Sequence, residues 1–185
     1  MLHDAHEELA PSNPGALARF AAVGRELGVE VAPVSHRDFS RLAEFDALFI
    51  RETTAINHHT YLFAKKAESE GLVAIDDPAS ILRCTNKVYL ADLLRRHAIP
   101  TPLTFTLQKA DAGALAAIEA RIAYPMVLKI PDGAFSRGVV KVHDAQQFRR
   151  VAQELLRQSA LILVQEYMYT EFDWRIGVLN RQPIF

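Results

Sequence analysis

The sequence predicts an α/β protein whose first half builds a parallel sheet and whose second half turns to an α+β arrangement. Three observations predict it. Apolar periodicity switches repeatedly between about two and about 3.6 residues along the chain. The first half runs strand, helix, strand, helix, the order of a parallel sheet with helices on both faces. Asn, Asp and Gly stand where helices need caps.

Taken in order, Met1, Leu2 and His3 give a stunted first strand before a polar stretch from Asp4. Asn13-Pro14 supplies an N-cap and a proline at the first helical position. Leu17, Phe20, Ala21, Gly24 and Leu27 then recur at helical spacing until Gly28. Residues 29–34 read as a short strand and 46–50 as a buried one. Residues 61–70 are helical and closed by Gly71, and 72–75 form another strand. Asp76-Asp77-Pro78 caps a new helix, and a further helix over 86–97 carries Leu90, Leu93, Leu94 and His97 on one stripe. Ile99-Pro100-Thr101-Pro102 is extended, since each residue before a proline is pushed out of the α region; a domain boundary belongs there. Beyond it come a strand (103–107), a helix (111–121), a strand (125–130), a glycine-containing loop and a strand (138–142). The helix over 144–158 has Phe148, Val151, Ala152, Leu155 and Leu156 on one side. Residues 161–165 and 173–179 are the last full strands, with Trp174 in the core. Asn180-Arg181 is a turn, and 182–185 open a returning strand. From that four-residue strand and the stunted first one, a fragment of a longer chain is expected.

Composition narrows the function classes. Twenty-one Lys and Arg against 22 Asp and Glu leave a net charge of −1, so no basic balance points to nucleic acid. The longest apolar run is five residues, too short to span a bilayer, and no export signal opens the chain. A single cysteine, Cys84, excludes a disulfide framework and a multi-thiolate zinc site. A cytoplasmic protein is expected.

The chemistry concentrates in Lys129-Ile-Pro-Asp-Gly-Ala-Phe-Ser-Arg-Gly-Val-Val-Lys141. Both a Walker loop and a Rossmann fingerprint would lead into a helix, whereas Val139 and Val140 start a strand. What remains is a glycine-bearing turn between antiparallel strands. Gly133 and Gly138 could fold backbone N–H groups over a polyphosphate, with Ser136 and Arg137 adding a donor and a charge. A plain hairpin fits the loop alone equally well. Lys129 sits inside the apolar run Met126-Val127-Leu128-Lys129-Ile130, where it must reach solvent or an anion. Beside a glycine loop the anion reading is favoured over a lysine on a wet sheet face. Lys87, at a helix start, is a second cation. Downstream, Gln165, Glu166, Tyr167 and Met168 end an apolar strand whose edge could hold a purine ring, and Glu171 could accept from a ribose. Solvated strand-end side chains are the alternative.

Together these pieces resemble the ATP-grasp superfamily, in its RimK-like branch related to glutathione synthetase and ribosomal-protein glutamate ligase. The resemblance rests on T-N-K-V-Y-L at 85–90, I-P-T-P at 99–102, the segment Y-P-M-V-L-K-I-P-D-G-A-F-S-R-G-V-V-K-V at 124–142, V-Q-E-Y-M-Y-T-E at 164–171 and F-D-W-R-I-G-V-L at 172–179. It implies a pre-ATP-grasp, Rossmann-like domain over 1–84, including R-E-T-T-A-I-N-H-H-T-Y at 51–61. A connecting helix and linker would occupy 85–102. An ATP-grasp subdomain with the glycine loop would follow over 103–165, and the start of a second, truncated subdomain over 166–185.

By that resemblance Lys87 and Lys129 contact nucleotide phosphates, and the loop from Gly133 to Gly138, with Ser136 and Arg137, closes over them. Gln165, Glu166, Tyr167 and Met168 hold adenine, Glu171 the ribose, while Asp173 and Arg175 lie toward the substrate and phosphate side, Asp173 as a cofactor-binding candidate and Arg175 as a catalytic one. The expected activity is ATP-dependent carboxylate–amine ligation through an acylphosphate. The expected partners are ATP, Mg²⁺ and small-molecule or peptide carboxylate and amine substrates, with no membrane or nucleic acid; a homo-oligomer is left open. The Mg²⁺ ligands are expected downstream of this chain, which by itself would not ligate. A non-catalytic nucleotide-binding or scaffolding module is the alternative, and a dinucleotide oxidoreductase is disfavoured by the missing helix after Gly138.

Three other features were weighed. His58-His59 is read as a poor metal pair, because adjacent helical residues point about 100° apart. Residues 51–54 follow a buried parallel strand and suit either an acceptor site or loop capping. Cys84 is read as a spectator.

Overall fold

The structure, a computed structural model, describes residues 1–8, 10–132 and 138–185. It divides into two compact units: Met1–Thr101 with Lys129–Val139, and Pro102–Leu128 with Val140–Phe185.

In the first unit the chain begins by threading Leu2 between two neighbours, bridging Val34 and Ile50 in parallel. Strand β1 (Ala47–Phe49) pairs in parallel with β2 (Val73–Ile75). Helix α1 (Pro14–Glu26) starts because the Asn13 side chain accepts from the Ala16 N–H and Pro14 needs no donor. Helix α2 (His59–Ser69) follows β1, and α3 (Pro78–Thr85) is capped by Asp77, which accepts from Ser80 N–H. Helix α4 (Lys87–Arg96) comes next.

Alternation along β1 decides the layering. Leu48 is buried in a cluster with Phe63, Ala64 and Ala67 of α2, together with Leu2, Val34, Leu42, Ile50 and Ile81. Phe49 projects the other way and meets Phe20 of α1 edge-on at 5.0 Å. Helices therefore cover both faces of this sheet, as the sequence predicts.

One expectation for this unit is corrected. Residues 29–34 do not form a strand; only Val34 pairs, with Leu2. The N–H of Val29 is taken by Gly24 O at 2.8 Å, at the end of α1, and Pro33 has no N–H to give a ladder. The close return also explains Gly24, where a Cβ would lie 2.6 Å from Val31 Cγ2. A 3₁₀ stretch at His36–Glu44, opened by a reciprocal Ser35–Asp38 capping box, was not expected. No residue of α4 is fully buried.

The second unit is a four-stranded sheet in the order β3–β6–β4–β5, from β3 (Thr104–Leu107), β6 (Ile162–Glu166), β4 (Met126–Lys129) and β5 (Val139–Val142). Strands β3 and β6 are antiparallel, with Thr104 opposite Gln165. Helix α5 (Ala112–Glu119), capped by Asp111, and α6 (Ala145–Leu155), capped by Asp144, supply the other layer. Phe148, Val151, Ala152 and Leu155 of α6 are buried, as their spacing predicts. Ile162, Leu163 and Val164 are buried in succession, which marks β6 as an interior strand covered on both faces.

After β6 one expectation fails. Only Val178–Leu179 (β7) is strand, paired with Gln182–Pro183 (β8) around Asn180 and Arg181, both in left-handed conformation. Trp174 is 81% exposed instead of core. Apolar alternation yields a strand only where a neighbour receives its backbone groups, and within 173–177 it is Gly177 that is met so, donating to Phe185 O and accepting from Ile184 N–H. No described helix is long and apolar enough to cross a membrane.

Candidate functional site

The lysine pair of the sequence reading is assembled within the first unit. Helix α4 begins where Asn86 Oδ1 accepts from the N–H groups of Val88 and Tyr89, each at 3.1 Å. The Asn86 amide also donates to Asp132 Oδ1 at 2.8 Å. Lys87, the next residue, donates twice to Pro131 O: through its backbone N–H at 3.2 Å and through Nζ at 3.1 Å. The positive end of α4 is thereby fastened to residues 131 and 132.

Lys129 reaches the same neighbourhood from β4. Met126 and Leu128 are fully buried, so by alternation Val127 and Lys129 occupy the opposite, half-buried face. Burial pushes the Lys129 ammonium below the usual lysine range, and the charge of Lys87 adds to the effect. Burial likewise lowers Lys87, with Asp132 opposing it. Two ammoniums that repel each other while losing water, at a helix N-terminus, form a place where an added anion stabilises.

The glycine turn leaves this point. Ile130 N–H donates to Gly138 O at 3.0 Å, closing the turn's base. Gly138 has φ of +68°, and a Cβ there would meet Ile130 Cδ1 at 3.0 Å, so only glycine fits. Gly133, Ser136 and Arg137 lie outside the described residues.

The adenine candidates are in the second unit. Gln165 Nε2 donates to Thr104 Oγ1 at 2.7 Å. Glu166 pairs with Leu103 twice, its N–H donating to Leu103 O at 2.9 Å and its Oε1 accepting from Leu103 N–H at 2.8 Å. Beyond it the chain leaves the sheet. Lys141 Nζ stands 3.5 Å from the Tyr167 ring centroid, and Met168 is exposed. Glu171, Asp173 and Arg175 are exposed, with Thr170 Oγ1 donating to Asp173 Oδ1 at 3.3 Å.

A second constellation was missed. His58 is not helical: it is the extended N-cap of α2, and its ring centroid lies 3.9 Å from that of His59. The 100° argument against the pair therefore fails, because it holds only inside a helix. Glu52 joins them; its side chain is 1% exposed and its Oε2 contacts His59 Nε2. Burial, reinforced by Glu7 and Asp4 against the histidines His58 and His3, pushes its carboxyl up to about 7. Burial lowers both His58 and His59. The signal was present in the sequence: Leu48, Ile50 and Glu52 share one strand parity, and the first two are core. Arg51, by contrast, donates to Ser12 Oγ at 2.8 Å and Pro11 O at 3.1 Å and covers the Phe20 and Phe49 rings, the loop-capping alternative.

Comparisons bear on this arrangement. Residues 84–184 match the family described as the RimK-like ATP-grasp domain. The chain is 31% identical over 132 residues to the alpha-aminoadipate–LysW ligase LysX of Saccharolobus solfataricus, covering 64% of this chain and 44% of that protein. It is 29% identical over 138 residues to a probable alpha-L-glutamate ligase of Pectobacterium carotovorum, covering 74% and 45%. It thus spans about half the length of the curated relatives it matches. In fold it resembles the RimK domain ATP-grasp protein of Sphaerobacter thermophilus, with a TM-score of 0.71 at 20% identity over 88% of this chain and 63% of that one. The family match takes in more than half of the sequence, from Cys84 through Lys129 and β6 to the last hairpin, and this chain belongs to the RimK-like ATP-grasp family.

Proposed function

We propose that this chain carries the nucleotide-binding part of an ATP-dependent carboxylate–amine ligase. The observation that carries the reading is the convergence of Lys87 and Lys129, half-buried and mutually repelling, at the base of the turn closed by Gly138. These two cations meet the ATP phosphates, and the Gly133 to Gly138 turn, with Ser136 and Arg137, covers them. Gln165, Glu166, Tyr167 and Met168 hold the base and Glu171 the ribose; Asp173 and Arg175 face the substrate side.

In the reaction, a carboxylate oxygen attacks the γ-phosphorus and ADP leaves. The amine then attacks the acyl carbon and inorganic phosphate leaves. The chain's part is to position the triphosphate and neutralise its charge. Mg²⁺ is implied by the family, yet among the described residues the one group of three potential ligands is Glu52, His58 and His59. Imidazoles suit a transition ion over Mg²⁺.

The test is ATP affinity of the chain by calorimetry with and without Lys129→Ala. Loss of a charged contact of about 1.5–3 kcal/mol weakens binding by about 10- to 100-fold. Equal affinities overturn the reading. A non-catalytic binding module would show the same loss, and is separated from the ligase by acylphosphate formation in the full-length protein.

A further inference from the structure

The segment after β1 and the start of α2 bring Glu52, His58 and His59 together, one ligand atom of each lying within 4.8 Å of the others. Glu52 is buried, its Oε2 meets His59 Nε2, and its Oε1 has no hydrogen-bond partner among the described residues. A buried acceptor left in that state costs about 1–3 kcal/mol, and more if it is charged. The surroundings favour a cation: the carboxylates of Asp4 and Glu7 also face this point, and His3 and His36 stand beside it.

The neighbourhood of His58 offers Nδ1 two partners, the hydroxyl and the N–H of Thr60. The Thr60 hydroxyl donates to Thr53 O at 3.4 Å, so Thr60 Oγ1 is free to accept from His58 Nδ1 at 3.0 Å. The Thr60 N–H competes for the same nitrogen at the longer distance of 3.5 Å. As the cap of α2, Nδ1 accepts from the Thr60 N–H; an ion held through Nε2 would turn the Nδ1 proton to Thr60 Oγ1 instead. A carbonyl–hydroxyl–imidazole relay of this kind orients metal-ligating histidines.

We propose that Glu52, His58 and His59 form a site for a divalent transition-metal ion of the zinc class. Two imidazoles and a carboxylate are a donor set for Zn²⁺ and its neighbours, not for Mg²⁺ or Ca²⁺, which take oxygen ligands. Tetrahedral bonds of about 2.0–2.2 Å set donors about 3.3–3.5 Å apart, so small side-chain rotations close the observed spacing. The ion replaces the Glu52–His59 contact, neutralises the buried carboxylate and ties residues 52–54 to the start of α2. This site is independent of the nucleotide reading.

The experiment uses the untagged chain, stripped with a chelator, because a polyhistidine tag would compete. Zn²⁺ is titrated by calorimetry, and Co²⁺ is added as a spectroscopic probe. One Zn²⁺ binds per chain, and Co²⁺ gives the strong visible absorption of a four- or five-coordinate site. Glu52→Gln and His59→Asn each weaken Zn²⁺ by at least about 100-fold, and Thr60→Val, through the relay, by about 10- to 100-fold. His36→Asn leaves the affinity unchanged. Zn²⁺ binding no tighter than that of Glu52→Gln, or an equal loss in His36→Asn, overturns the proposal. If Glu52→Gln fails to fold, Thr60→Val and the Co²⁺ spectrum of the unaltered chain decide: no loss and no strong absorption end it.

Discussion

The side-chain ammonium of Lys87 and its own backbone N–H both donate to the carbonyl oxygen of Pro131, at 3.1 and 3.2 Å. One carbonyl thus anchors the first residue of α4 to the segment entering the glycine turn. The lysine is fixed in place where an anion would need it, and the charge does not depend on a flexible stem finding its geometry at binding.

The lowered ammoniums give nucleotide binding a pH dependence. Lys129 falls below the usual lysine range through burial and the charge of Lys87. Its protonated form prevails below the shifted pKa and is lost as pH rises through it, before the ordinary value of 10.5. On the proposed function, ATP affinity therefore declines as pH rises, earlier than an ordinary lysine would set. Lys129→Ala flattens that decline as well as lowering affinity. Calorimetric titrations at several pH values check this; an unchanged alkaline slope in the variant refutes it.

Gly138→Ala destabilises the chain. The left-handed backbone and the 3.0 Å approach to Ile130 Cδ1 add strain of about 1–3 kcal/mol. Denaturant titration reads it as a lower midpoint at unchanged slope. Gly28 also has positive φ, yet a Cβ there meets nothing within 4 Å, so Gly28→Ala has the smaller effect.

Asn86 has two duties that substitution separates. Asn86→Ala removes the cap of α4 and costs about 1–2 kcal/mol. Asn86→Asp keeps an N-cap acceptor but sets a carboxylate against Asp132, whose Oδ1 now receives the Asn86 amide. Asn86→Asp is restored by the second change Asp132→Asn, and Asn86→Ala is not. Stability measured across this cycle checks the assignment.

Phe148→Ala empties the centre of α6. The ring is fully buried and meets Tyr124 at 6.5 Å, and truncation costs about 3–5 kcal/mol. Phe172→Ala, at a 65% exposed position, shifts the melting midpoint little.

The sequence by itself determined the helix starts other than that of α2, the parallel pairing in the first unit and the α6 core face, because caps and periodicity are local physics. Asn13, Asp77, Asp111 and Asp144 each cap the helix that follows them. It also marked Lys129, a cation inside an apolar run, and Lys87, a cation at a helix start. Tertiary structure alone decided which apolar segments gain a neighbour: 29–34 and 173–177 alternate well but meet backbone partners only at single residues such as Ala32, Val34 and Gly177, so neither becomes a strand. It alone decided, too, that Glu52 turns inward onto two histidines. Residues separated in sequence converge only through the return of α2 onto β1, and burial of a carboxylate is a property of that packing.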